Sequence, residues 1–349
     1  MQPTVVGDMV CVGSCSGLFY AIAVSDGTVL LTFDVAADGA SQFHGNPLVV
    51  DSIVVFATDQ GRNPVGAVYA LDLRTWHANW KVVFPFGIGS EPAHDGDSTV
   101  YIISRMDSVL ALGVDGGEQR WGFSTGWTRP DMEFGRDVEI PRVVSSPLYH
   151  DGSVCFVGRD STAYCLDATT GIKRWSTPLG TIVTSDPVLY GNQMVLGLDS
   201  YELVALNLQD GRLEWRDTLP AMMLRTPSLS DSRVVFLGGG DEDRPRQVVA
   251  YDLRDRVVLW SSALIDTTDA DAFWYVPRIH LWNSQVVVGS TTGLVVAYDI
   301  SDGTPQWQFQ LDGPIRGIGH VDSLLFVGTF EGMLHCLSFS NAPGATKAE

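Results

Sequence analysis

Apolar residues in this chain come in short runs of four to six, cut by Asp-Gly and Ser-Asp-Gly turns, with no stretch of helical periodicity. One phrase recurs along the whole length. It reads Leu18-Phe-Tyr-Ala-Ile-Ala, Val68-Tyr-Ala-Leu-Asp-Leu, Val109-Leu-Ala-Leu-Gly-Val and Ala163-Tyr-Cys-Leu-Asp-Ala. It returns as Leu203-Val-Ala-Leu-Asn-Leu, Val248-Val-Ala-Tyr-Asp-Leu and Val295-Val-Ala-Tyr-Asp-Ile, and more loosely as Met333-Leu-His-Cys-Leu-Ser. After each turn stands an anchor: Leu31 first, then Trp80, Trp121, Trp175, Trp215, Trp260 and Trp307, the tryptophans 41, 54, 40, 45 and 47 residues apart. That is the period of a four-stranded propeller blade.

Upstream of each phrase lies a second short apolar run, as in Val10-Cys-Val-Gly, Val54-Val-Phe-Ala, Val234-Val-Phe-Leu-Gly and Leu325-Phe-Val-Gly. Before that comes a proline in register: Pro3, Pro47, Pro92, Pro147, Pro187, Pro227 and Pro277, with Gly317 in the last copy. Proline is tolerated at the first residue of a strand, where its missing N–H faces no partner. Each unit therefore reads as strands A (after the proline), B, C (the recurrent phrase) and D (the Trp strand). The tryptophans read as core, filling the wedge between blades.

The expected fold is all-β: a single eight-bladed β-propeller over residues 1–349 with four-stranded antiparallel blades. The blades fall near 1–35, 44–86, 90–126, 145–179, 184–219, 225–264, 276–311 and 315–340. The last supplies only A, B and C, so a three-stranded final blade is expected.

The phrase Ala163 to Trp175 best preserves a pattern V-Y-A-L-D-x-x-T-G-x-x-x-W, and through it the chain resembles the PQQ-like β-propeller repeat family along essentially its whole length. That family includes quinone dehydrogenases, assembly factors of the BamB type and sensor domains, so the resemblance implies a fold more sharply than an activity. Quinone dehydrogenases of the family hold Ca²⁺ beside the quinone, and the methanol-dehydrogenase type has a vicinal Cys-Cys pair. No Cys-Cys occurs here and no metal-binding set matches residue by residue, so no cofactor is expected.

Composition narrows the partners. With 22 basic against 41 acidic residues, a net charge of −19 and no basic run, the chain lacks the clustered cations that nucleic acids or anionic membranes require. No apolar stretch approaches the ~20 residues of a membrane span. The chain reaches strand-like sequence by Thr4 without a signal-like segment. It reads as soluble, cytoplasmic as written or extracytoplasmic if a leader has been removed. Of the five cysteines, Cys155 and Cys165 occupy matching places on neighbouring strands; two buried free thiols are expected there rather than a cross-strand bond.

Candidate function lies in the loops. The D-to-A and B-to-C connections share the top face of a propeller, and the long D-to-A segments are Thr125–Ser145 (with Trp127) and Ile265–Val276 (with Trp274 and Tyr275). A shorter one, Ala36–Gly45, carries His44. The residues just before the prolines form a second signal: Gln2, Asn46, Glu91, Ser146, Asp186, Thr226, Val276 and, before Gly317, Arg316. This polar ring should surround the channel mouth, with Arg225, Arg278 and Arg316 in or beside it. Guanidinium groups grip carboxylate or phosphate in a bidentate way; equally, these arginines could pair with Glu91 and Asp186 and fix neighbouring blades.

The leading expectation is a binding scaffold holding a protein or peptide through Trp127, Trp274 and Tyr275. The alternative is a small polar or anionic ligand at the mouth, held by the three arginines with Glu91, Asp186 or His44 able to move protons. His94, His150, His280 and His320 fall in or near A strands, in differing registers, and read as wall residues rather than a metal site.

Overall fold

The computed structural model describes residues 2–14, 16–36, 42–43, 45–59, 65–127, 145–239, 246–264, 279–339 and 346–347. Eight sheets follow one another along the chain, each ordered A-B-C-D by antiparallel neighbours. The fourth is typical: Leu148–His150, Ser153–Val157, Thr162–Asp167 and Lys173–Pro178. The A strands of successive sheets touch one another and so line the centre. No helix long and apolar enough to cross a membrane occurs among the described residues.

The expected eight-bladed propeller is thus observed. Its last sheet has three full strands, Ile315–Val321, Leu324–Thr329 and Leu334–Phe339. Only a two-residue strand, Thr346–Lys347, pairs with Ser338 and Phe339 at the outer edge.

The B and C strands are apolar on both faces because each blade is sandwiched between two others. The seven buried clusters of the described residues each draw on two consecutive blades, from the 1–2 seam (Phe19, Phe56, Tyr69) to the 7–8 seam (Trp282, Val295, Leu325). D strands, by contrast, alternate between exposed and partly buried residues, as outer edges should.

What joins the blades is the Trp of one and the turn of the next. The Trp80, Trp121, Trp175 and Trp260 indoles donate to the carbonyls of Val114, Ala168, Leu208 and Ile300 at 2.5–3.0 Å. Three residues beyond each carbonyl stands a glycine with φ of 70–73°: Gly117, Gly171, Gly211 and Gly303. A Cβ there would meet the ring, at 2.6 Å for Trp80 and Trp121 and 2.5 Å for Trp175. The turn glycine therefore serves two ends, a left-handed backbone and a flat seat for an indole.

Three seams differ. Trp215 and Trp307 donate to glutamines of their own blades, Gln193 and Gln285, at 3.3 and 3.1 Å. Blade 1 has Leu31 as its anchor, and Leu31 and Trp76 (φ 61°), in the turn of blade 2, both pack against the buried cluster of that seam. Opposite Trp215 the turn residue is Arg256 (φ 57°), whose guanidinium lies 5.1 Å from the ring centroid and donates to Asp217 at 2.8 Å.

Two expectations need correction. Cys155 and Cys165 are directly opposite in the B–C ladder and form a disulfide rather than two free thiols. The proline register also fails in the last two blades. Thr4, Leu48, Leu148 and Val188 pair with the third residue of strand B, but in blades 7 and 8 His280 and Gly319 do so. Ile279 and Ile318 therefore stand in the proline's place, and the residue just before Ile318 is Gly317, not Arg316; Val276 lies outside the described residues.

Gly171→Ala should cost about 2–5 kcal/mol, the sum of a left-handed alanine and an overpacked Trp121 seat. Gly27→Ala, with φ 74° but nothing described within 4 Å of its Cβ position, should cost only the backbone part, about 1–2 kcal/mol. Urea denaturation of both variants checks the difference.

Candidate functional site

The top face is built from the chain's exits out of strands B and D. Immediately after strand B, blades 3 and 4 each place an arginine, Arg105 and Arg159. Each engages an aspartate of the preceding blade. Arg105 Nε donates to the Asp59 carboxylate, which is fully buried. The Arg159 backbone N–H donates to Asp107 Oδ2 at 2.5 Å, with its Nε 3.9 Å from Oδ1; Asp107 is 1% exposed. Burial pushes the Asp107 carboxyl up to about 6, against the lowering effect of the Arg159 N–H and charge.

The Arg159 guanidinium also lies over the ring of Trp127, 5.3 Å from its centroid. Trp127 is half-buried, and its N–H bonds to Thr125 Oγ1 at 3.2 Å. A run from a buried acid through an arginine to an aromatic at the rim of the long blade 3–4 loop thus stands on two rigid blades. Beside it, Ser145, Gly158, Arg159, Ser161, Ile182 and Ser185 line a shallow crevice between blades 4 and 5 with room for about one water molecule.

The polar ring at the mouth is a chain of hydrogen bonds between successive blades. The Gln2 N–H donates to Asn46 Oδ1 at 2.8 Å, and the Glu91 N–H to Ser146 Oγ at 3.1 Å. The Ser146 N–H donates to Asp186 Oδ1 at 2.8 Å, and the Thr226 hydroxyl to Asp186 Oδ2 at 2.7 Å. The rule is one side chain accepting from the backbone of the blade before it. Asp186 therefore ties blades 4, 5 and 6 together.

The three arginines are not placed alike. Arg225 sits at a bulge with φ 52°, its N–H bonded to Thr184 O at 2.8 Å and its carbonyl accepting from the Asp186 N–H at 2.7 Å. Arg316, at the bulge of blade 8, donates to Phe43 O at 3.3 Å and stacks on Phe330 at 4.9 Å. Arg278, Trp274, Tyr275 and His44 lie outside the described residues.

Of the four A-strand histidines, two meet. His280 Nε2 and His320 Nδ1 are 2.6 Å apart. Burial and the facing His320 push His280 down to about 4, so a neutral pair shares one proton between the rings. His94 Nδ1 accepts instead from the Gly96 N–H at 3.1 Å. No three His, Cys, Asp or Glu side chains gather as a metal site among the described residues.

Arg105, Arg159, Asp59 and Asp107 were not singled out by the sequence pattern. The available signal was a charge directly after an apolar B strand in two successive repeats, Ile103-Ser-Arg and Val157-Gly-Arg.

The profile of the family described as outer membrane protein assembly factor BamB matches residues 1–181, 64–223, 159–314 and 245–344. The chain belongs to that family. It is 24% identical over 263 residues to the outer membrane protein assembly factor BamB of Yersinia pestis, covering 70% of this chain and 62% of that one. It is 21% identical over 311 residues to the tetrathionate hydrolase of Acidithiobacillus ferrooxidans, covering 78% of this chain and 59% of the enzyme. It thus spans about three fifths of the length of these two relatives. The crystal structure of BamB from Moraxella catarrhalis superposes with a TM-score of 0.73 at 18% identity, over 97% of this chain and 96% of that one; at that identity the likeness speaks for the fold.

Asp107 holds a proton in the native state up to about pH 6 but only to about 4 when unfolded. Its contribution to stability is therefore fully present below about pH 4 and lost as pH rises through 6. Asp107→Asn, uncharged throughout, should gain on the parent protein by on the order of 1–3 kcal/mol between about pH 4 and 7. Urea midpoints measured across that range check it.

Proposed function

We propose that this chain is a non-catalytic interaction propeller that holds a protein or peptide partner on its loop-bearing top face. The observation that carries the reading is the braced aromatic: Trp127 stacked by Arg159, which is held in turn on the buried Asp107. A rigid, half-exposed tryptophan with a guanidinium beneath it is the kind of residue that dominates binding energy at protein interfaces. Trp274 and Tyr275, in the sequence segment between blades 6 and 7, are the further aromatics this reading would enlist. Relatives described as outer membrane protein assembly factors agree with a protein partner.

The mouth itself speaks for structure more than for ligand. Asp186 already accepts two hydrogen bonds from neighbouring blades, and Arg316 is tied to Phe43 and Phe330. A second reading, a small polar or anionic ligand with or without chemistry, is favoured by the tetrathionate hydrolase among the relatives. It would use Arg225, Arg278 and Arg316 with Glu91, Asp186 and His44.

The two readings separate by mutation. Affinity purification from a crude extract of the source should recover a protein partner. Trp127→Ala or Trp274→Ala should cut that recovery by about tenfold or more, as loss of a central aromatic anchor does, while Arg225→Gln leaves it within about twofold. The reverse pattern, with a small molecule seen by native mass spectrometry on the parent protein and lost from Arg225→Gln, would favour the ligand reading.

A further inference from the structure

One turn of the top face departs from its counterparts in two places at once. In blades 1, 4, 5 and 7 the left-handed residue of the B–C turn is Gly17, Ser161, Tyr201 or Gly293. Its carbonyl accepts from the N–H of a buried apolar residue just past strand D: Val35, Leu179, Leu219 or Leu311. Blade 3 keeps this bond, Thr125 N–H to Asp107 O at 3.2 Å, but has an aspartate on one side of it and a threonine on the other. Neither the turn nor its bond asks for an acid. Asp107 is nonetheless 1% exposed, and a buried carboxyl is costly to keep charged.

This carboxyl touches both supports of Trp127. Arg159 is the first. Its backbone N–H donates to Asp107 Oδ2 at 2.5 Å, its Nε lies 3.9 Å from Oδ1, and its guanidinium lies 5.3 Å from the Trp127 ring centroid. Thr125 is the second. Its hydroxyl faces the Asp107 carboxyl and favours the charged form, and its Oγ1 accepts from the Trp127 backbone N–H at 3.2 Å. The other charges nearby have their own partners. Asp160 accepts from the Thr162 N–H at 3.0 Å and from the Tyr164 hydroxyl at 2.5 Å. Burial pushes the Tyr164 phenol up to about 12, so it keeps its proton. Arg105, two residues before Asp107, engages Asp59.

Ionised, Asp107 only accepts, and the groups around it donate. Protonated, it must also donate. The Arg159 N–H groups cannot take that hydrogen, whereas the Thr125 oxygen can. Thr125 Oγ1 then accepts from Asp107 as well as from Trp127, and the guanidinium loses a charge that draws it. Both supports of the tryptophan change with one proton.

We infer that Asp107 is a proton-operated brace for Trp127: ionised, it holds the ring in the position a partner meets, and protonation lets the ring go. This brace builds on the reading of Trp127 as a partner contact and supplies the regulation of that contact. A partner is held at neutral pH and released in mild acid. The fold itself responds in the opposite sense, because burial favours the neutral carboxyl and acid therefore stabilises it.

Fluorine NMR reads the brace without any partner. Fluorotryptophan in place of all ten tryptophans gives each ring a resonance, and the one missing from Trp127→Phe belongs to Trp127. Between about pH 5 and 8 that resonance should move in a single one-proton step centred near 6, where burial places Asp107. Asp107→Asn, whose asparagine tolerates the left-handed turn, should abolish the step. Asp160→Asn removes a neighbouring charge that raises Asp107, and should shift the step to lower pH. A Trp127 resonance that stays put over this range, or that steps unchanged in Asp107→Asn, overturns the inference. With only the ionised form competent, a partner recovered from the extract at about pH 7.5 should bind about fourfold more weakly at about pH 5.5, and Asp107→Asn should remove the difference. Affinity that depends on Trp127 but ignores pH also overturns the inference. A resonance that steps while recovery ignores both pH and Trp127→Ala upholds the brace and overturns the partner reading instead.

Discussion

The fold depends on one contact repeated around the ring: an indole of one blade lying on the turn of the next. Each docked tryptophan removes on the order of 200 Å² of apolar surface from water, a gross gain of about 5 kcal/mol. At four seams its N–H finds a backbone carbonyl of the next blade, and for Trp215 and Trp307 a glutamine side chain of its own blade, so the indole N–H is satisfied in each. The contact forces the turn residue to be nearly flat. That requirement explains why the glycines at positions 117, 171, 211 and 303 accompany the docked tryptophans. Leu31 faces Trp76, and Trp215 faces Arg256. In each case an aromatic still bridges the seam, and only the side that carries it, or the group that covers it, differs.

This coupling is also why the fold was legible in the sequence. The tryptophan, the turn and the apolar B and C strands must recur at every blade, so their period appears in the chain as a repeat. The features that escaped are pairings between blades, which leave no local trace. Asp59 and Arg105, or Asp107 and Arg159, are about fifty residues apart, and nothing near either partner announces the other. The proline register was followed two blades too far for the same reason. Proline marks where strand A begins, but the ladder to strand B decides which residue faces which, and in blades 7 and 8 Ile279 and Ile318 hold that place. Cys155 and Cys165 were placed opposite each other correctly, yet position alone could not distinguish thiols from a bond.

The candidate site was legible in outline only. The sequence located the polar ring, and polarity there was read as a signal of ligand binding or of blade pairing. The hydrogen bonds favour the second use. Near the axis the A strands converge, and the first N–H of each has no ladder partner on the inner side; a neighbour's side chain satisfies it. Asn46, Ser146 and Asp186 do so in turn. At these three positions the polar residue serves the architecture itself, and its presence carries little information about a ligand. By contrast nothing in the blade geometry requires Trp127 to stand over Arg159, so that pair is the more informative feature of the top face.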